Sequence, residues 1–278
     1  MTQSNGNLVN QFGEPPFSVL NANSPRWHEK KREWLKLGIN SELGRDTSVY
    51  EGTKSLEKFG VKVKTTQSVF DPYLSELMYS WFCPKKGFIL DPFAGGSVRG
   101  IVAGYLGYQY VGIDIREEQV IANEQQAKNI LPHHKRPSWL VGDSNQLIPT
   151  LNQSFDLVFS CPPYFNLERY SRLKHDISNM ACYDDFLSIY TSIVRHSCDK
   201  LKTGGFAVFI VGEVRDKKGN YIGFVPDTVQ AFEQCGMAYY NEMILATALC
   251  TAPLRARLMM RTNKVVKVHQ NILVFKKP

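Results

Sequence analysis

Short apolar runs alternate along this chain with stretches in which apolar residues recur every three to four positions. Runs at residues 88–91, 108–113, 138–141 and 155–159, each bounded by glycine, proline or aspartate, predict buried strands. Between and before them, Leu74, Leu77, Met78 and Trp81, then residues 98–106 and 117–130, carry helical spacing. The same alternation continues with a helix over 185–201, stopped by Gly204 and Gly205, a strand over 206–211, a helix over 225–235 and strands over 239–246 and 265–275. Seven strands interleaved with helices predict an α/β fold, a doubly wound and mostly parallel sheet covered on both faces.

Upstream the pattern weakens. Residues 1–16 are polar, break at Pro15-Pro16, and read as a loose arm. A short amphipathic helix follows around Trp27 and Trp34, with Lys31 and Arg32 on its basic face and Gly38 as its stop. Residues 41–64 read as a mobile loop. The expected division is therefore 1–65 as arm and basic, aromatic segment, and 66–278 as a catalytic domain.

The first strand, turn, helix and second strand carry the first chemistry: FILDPFAGGSVRGIVAGYLGYQYVGID. Gly95 and Gly96 let the backbone turn tightly, and Asp114 ends the second strand 18 residues past Gly96. That spacing is close to the offset of about 20 residues at which β-α-β units set a carboxylate on ribose hydroxyls. The unit is predicted to hold a nucleoside-containing cofactor. Asp143 ends the third strand at the same sheet edge. Asp91 has a second reading, as the cap of the helix that follows it.

The fourth strand runs into Ser160, Cys161, Pro162, Pro163 and Tyr164. A double proline fixes an extended exit and presents carbonyls without neighbouring N–H donors. With an aromatic ring beside them, such carbonyls suit a planar base bearing an amino group.

Bulk properties narrow the field. Lysine and arginine number 33 against 26 acids, a formal charge of +7, which favours a polyanionic partner. Arg255, Arg257, Arg261 and Lys264 form a stretch with little acidic compensation, read as a basic loop. No apolar run reaches 18 residues, so no membrane association is expected. The six cysteines are scattered without C-x-x-C pairs, which argues against zinc or a disulfide framework and suits a cytoplasmic setting.

DPFAGG and SCPPY, in this order and context, resemble the motifs of S-adenosylmethionine-dependent amino methyltransferases of DNA. The segments PPFSVLNA, KKREWLKLGINSELGR, FDPYLSELMYSWFCP, VGEVRDKKG and HQNILVF extend the likeness to phage and bacterial DNA methylases over most of residues 15–277. The resemblance implies a Rossmann-like methyltransferase fold with its last strand antiparallel. It implies S-adenosyl-L-methionine as cofactor, touched by Phe70, Asp71, Asp91, Phe93, Gly95, Asp114 and Asp143, with Asp91 and Gly95 at the methionine part. Residues 160–164 would form the target-base site, methylating adenine N6 or cytosine N4 in double-stranded DNA. RNA or protein substrates, and an inactive DNA-binding protein, stand as alternatives. Cys161 departs from the Asp, Asn or Ser usual before Pro-Pro. Little more than a hundred residues follow this motif, so recognition is expected from the 165–183 loop, the basic stretch and the N-terminal segment, with no large separate domain.

Overall fold

The computed structural model describes residues 2–40, 43–44, 69–165, 171, 173, 175–249 and 252–278. The loop expected over 41–64 lies almost wholly outside these residues, as do residues 166–170 of the 165–183 loop. Eight strands form one sheet: β1 (Val19–Asn21), β2 (Phe88–Asp91), β3 (Gln109–Asp114), β4 (Ser138–Val141), β5 (Phe155–Ser160), β6 (Leu201–Val211), β7 (Ala238–Ala246) and β8 (His269–Lys276). Their order is β1-β7-β8-β6-β5-β2-β3-β4. Strands β2 to β6 pair in parallel, whereas β8 runs antiparallel to both β6 and β7.

Alternate residues of the central strands feed two cores, because successive side chains of a strand point to opposite faces. Ile89, Leu157, Phe159, Val208 and Ile210 join one cluster; Leu90, Phe155, Val158, Ala207 and Phe209 join the other. The first cluster is covered by α3 (Pro72–Phe82), α4 (Val98–Leu106) and α5 (Glu117–Ile130), the second by α7 (Tyr183–Lys200) and α8 (Phe224–Glu233), with the short α6 (Ser144–Thr150) packed on α7. The chain winds outward through β2, β3 and β4, then returns to β5 on the other side of β2. Strand order reverses between β2 and β5, and the crevice outside their carboxyl ends is where doubly wound sheets take ligands.

Four expectations need correction. The N-terminal residues are no loose arm: α1 (Thr2–Phe12) packs on α3, and the Trp81 indole donates to Phe12 O at 2.8 Å. The sheet has eight strands because Val19–Asn21 adds a parallel edge strand beside β7. Gly204 and Gly205 do not stop a helix. They lie inside β6, where four residues intervene between the partners of Phe155 and Leu157. The basic stretch is not a loop but a short helix, α9 (Ala252–Met259), followed by a single 3-10 turn.

The tryptophan segment is α2 (Pro25–Leu35), capped by Ser24 with Pro25 in its first turn. It is joined to the main body, since Trp27 and Trp34 are buried in the first core and hand their indole N–H groups to the α3 cap Asp71 at 3.1 Å and to Glu76 within α3 at 2.6 Å. Trp27→Phe keeps most of the packing and removes one hydrogen bond to Asp71, whose Oδ2 Lys31 still serves, so urea unfolding should show a loss of about 0.5–1.5 kcal/mol.

Candidate active site

A cavity of 520 Å³ opens at the carboxyl ends of β2, β3, β4 and β5. Its volume falls in the range of small-molecule sites. Phe93, Gly95, Asp114, Asp143 and the run Cys161, Pro162, Pro163 and Tyr164 all line it. The two stretches singled out in the sequence therefore share one wall.

Gly95 sits at φ +52°, a left-handed conformation that side-chain-bearing residues rarely adopt, and open space lies beyond it. Its N–H donates to Asp114 Oδ2 at 2.9 Å, while Arg116 N–H donates to Oδ1 at 2.9 Å. The turn thus carries the acid on two backbone donors and leaves its remaining lone pairs toward the cavity. Asp143 caps α6 through Asn145 N–H at 2.9 Å, and Ser144 ties that corner to Pro92 O.

Burial raises the Asp114 carboxyl from 3.8 to about 6, with the Arg116 and Gly95 N–H groups and the Arg116 charge opposing the rise. An ionised carboxylate only accepts hydrogen bonds, so ribose hydroxyls are served above that value and lose an acceptor below it. Cofactor affinity, followed by calorimetry, should weaken progressively as pH falls below about 6. The same carboxyl contributes to stability in the opposite sense: its contribution is fully present below 3.8 and lost as pH rises through about 6.

Two predicted site residues lie behind the cavity wall. Asp91 is fully buried and its oxygens are spoken for: Arg99 Nε at 2.5 Å, Tyr110 Oη at 2.7 Å, Ser160 Oγ at 2.6 Å and Phe93 N–H at 3.2 Å. Neither Asp91 nor Ser160 lines the cavity. Ser160 therefore acts as a strut that ties the end of β5 to the end of β2. Asp91 caps no helix and does not line the cavity; it is the counter-ion of Arg99.

Phe70 and Asp71 do reach the cavity. The Phe70 ring lies under the Arg99 guanidinium at 4.5 Å, and Asp71 caps α3 while receiving Trp27 and Lys31, the latter at 3.0 Å. Lys31 is thus paired at the cavity mouth rather than held out for phosphate, whereas Arg32 is exposed. The Phe93 ring stacks on Tyr190.

Tyr164 packs against Gly212, where an added Cβ would come within 3.2 Å of its ring, and its hydroxyl meets Gln270 Nε2 at 2.7 Å, Ile210 O at 3.3 Å and Cys161 Sγ at 3.7 Å. Gln270 and Arg99 both line the cavity, and neither stood out in the sequence as a site residue. A lone arginine on the otherwise apolar helix α4 was a signal for Arg99; Gln270 lies 106 residues from Tyr164 and offered none. Arg255, Arg257 and Arg261 are exposed on α9 and its following turn, away from the cavity, but β7 reaches α9 through Thr247 and Ala248 of the cavity rim.

Residues 93–180 match the family described as "Methyltransferase domain", a span that holds the glycine turn, Asp114, Asp143 and the β5 exit. The match spans less than half of the chain and supports a methyltransferase. S-adenosyl-L-methionine is its cofactor, and the residues present suit it, with acids at the ends of β3 and β4 and a left-handed glycine in the turn after β2. Among solved structures, the domain and its surroundings are similar to TrmN from Thermus thermophilus, with TM-score 0.51 and 13% identity over 76% of this chain and 50% of that one. The chain thus spans half the length of that protein. It is also similar to the [4+2]-cyclase SpnF, with TM-score 0.52 and 13% identity over 77% and 86%, and to precorrin-6y C5,15-methyltransferase from Geobacter metallireducens GS-15, with TM-score 0.50 and 11% identity over 78% and 94%. At these identities the likeness is one of fold, and a fold alone does not assign a substrate. No curated protein matches the sequence. Among the described residues no helix is long and apolar enough to cross a membrane.

Proposed function

We propose that the chain methylates the exocyclic amino group of a base, adenine N6 or cytosine N4, flipped out of double-stranded DNA. One observation carries this reading: the acids of the cofactor half and the Cys161, Pro162, Pro163, Tyr164 exit of β5 face a single cavity. The bound cofactor supplies an electrophilic methyl group on a sulfonium. An exocyclic amino nitrogen is a poor nucleophile because its lone pair is delocalised into the ring. Acceptors for its two N–H groups favour a pyramidal nitrogen, and fixed positioning supplies most of the rate gain.

The Pro162-Pro163 backbone presents carbonyls with no adjacent N–H to compete for them. Cys161 provides only a weak sulfur acceptor. Gln270 makes good that weakness: its Nε2 is fixed on Tyr164 Oη, and its side-chain oxygen has no partner among the described residues. Tyr164, held between Gly212 and Phe224, sets the aromatic wall against which a base would rest.

The partner reading rests on charge. Arg255, Arg257 and Arg261 are exposed, and Lys264 lies over Gly219 of a hairpin tip that bears the exposed Lys217 and Lys218. Such a face suits phosphate contacts, which position a duplex without reading its sequence. Recognition would fall to the N-terminal helices and the 165–183 segment within one catalytic unit. The test is incubation of the purified chain with methyl-labelled cofactor and separate pools of DNA, RNA and protein. Label entering DNA is expected; label entering only RNA or protein would refute the proposal.

A further inference from the structure

A cation would suit the carboxylate at the cofactor's methionine end, and the residue expected there, Asp91, is itself an anion sealed behind the wall. Arg99 is a cation in the cavity wall. Its side chain is buried, with the residue only 5% exposed, yet it lines the cavity beside Phe70, Phe93 and Gly95. Burial alone would depress its basicity, and Asp91 beside it reverses that, so the guanidinium stays charged.

Four of its contacts fix it in place. Nε is held by Asp91 Oδ2 at 2.5 Å, Nη2 donates to Phe93 O at 2.6 Å and Ala94 O at 2.9 Å, and the plane lies over the Phe70 ring. Among the described residues Nη1 has no hydrogen-bond partner, and it is not among the buried polar atoms sealed off without one. A guanidinium held on three sides, with its last nitrogen at a cavity wall, is pre-organised for an anion at low entropic cost.

We propose that Arg99 binds the α-carboxylate of the cofactor's methionine moiety through Nη1, with Asp91, Ser160 and Tyr110 acting as its positioning frame. The inference rests on the cofactor assignment and is independent of the substrate proposed above. It also gives Ser160 a role: the serine before Cys161 steadies Asp91 at 2.6 Å, so the cofactor clamp and the base-side exit share one rigid support.

The test compares two ligands on the full chain. S-adenosylhomocysteine carries the amino-acid moiety and 5′-methylthioadenosine lacks it. In Arg99→Met, calorimetry should show affinity for S-adenosylhomocysteine falling roughly 10- to 150-fold, the range for a lost hydrogen bond to a charged group, with affinity for 5′-methylthioadenosine within about twofold of the unaltered chain. Arg99→Lys, which keeps the charge without the fork, should fall between. Equal losses for both ligands, or no loss for either, would overturn the proposal. A structure of the unaltered chain with S-adenosylhomocysteine bears on the same point without a substitution. The carboxylate is expected within about 3.5 Å of Nη1, and a carboxylate resting on any other group refutes the assignment. Failure of both ligands to bind the unaltered chain would instead strike the cofactor assignment on which the clamp depends, and the clamp would fall with it.

Discussion

Asp91→Ala is expected to lower unfolding free energy by about 3–5 kcal/mol, the cost of removing one partner of a buried ion pair. Arg99 would remain in place as an uncompensated charge, and the Tyr110 and Ser160 hydroxyls would lose their acceptor at the same stroke. Burial together with Asp91 already pushes the Tyr110 phenol well up. Urea denaturation measures the loss. Adding Arg99→Met to Asp91→Ala should recover part of it, because the charge left behind is then gone. A single-variant loss below about 1 kcal/mol would mean that Arg99 finds solvent or another anion, contrary to its burial.

The second large effect concerns Asp114. Asp114→Asn keeps one acceptor oxygen but turns a nitrogen toward a backbone donor, either Gly95 N–H or Arg116 N–H, and removes the charge offered to ribose hydroxyls. Cofactor affinity should fall roughly 10- to 150-fold, corresponding to about 1.5–3 kcal/mol for hydrogen bonds to a charged group. The decline in affinity below pH about 6 should also vanish, since the group that causes it no longer titrates. Calorimetry across pH 5 to 8 reads both effects. Unchanged affinity, or a pH dependence that survives the substitution, would remove Asp114 from the site.

What the sequence disclosed follows from the strength of its periodic signals. Strands β2 to β5 and helices α3 to α5 are dense in apolar residues at the right spacing, and their positions agree with expectation to within a few residues. The edge strand β1 has only three residues, of which Leu20 alone is buried, too short a run to show alternation. Helix α1 is built largely from Thr, Gln, Ser, Asn and Gly, poor helix formers apart from Gln, and takes its order from packing on α3. Helix α9 exposes Leu254 and Leu258 along with its arginines, so no buried stripe marked it as helical.

The site divides in the same way. Asp114 and Asp143 were legible as strand-end acids because doubly wound sheets take ligands at the carboxyl ends of their parallel strands, although Asp143 also caps α6. Asp91 was legible as important but not in role, because Arg99 lies eight residues on and Ser160 sixty-nine residues on, and neither distance carries a pairing signal. Gln270 comes from the last strand, brought over the cavity by the antiparallel insertion of β8 between β6 and β7, which is a matter of topology alone.

The central claim is that one cavity places a transferable methyl group beside the amino group of a DNA base. It is tested most directly by mass spectrometry of nucleosides from the DNA of cells expressing this chain, set against cells expressing Asp114→Asn. The account predicts N6-methyladenine or N4-methylcytosine in the first and its sharp reduction in the second. Absence of both nucleosides from the DNA of cells that accumulate folded, cofactor-binding protein would contradict it.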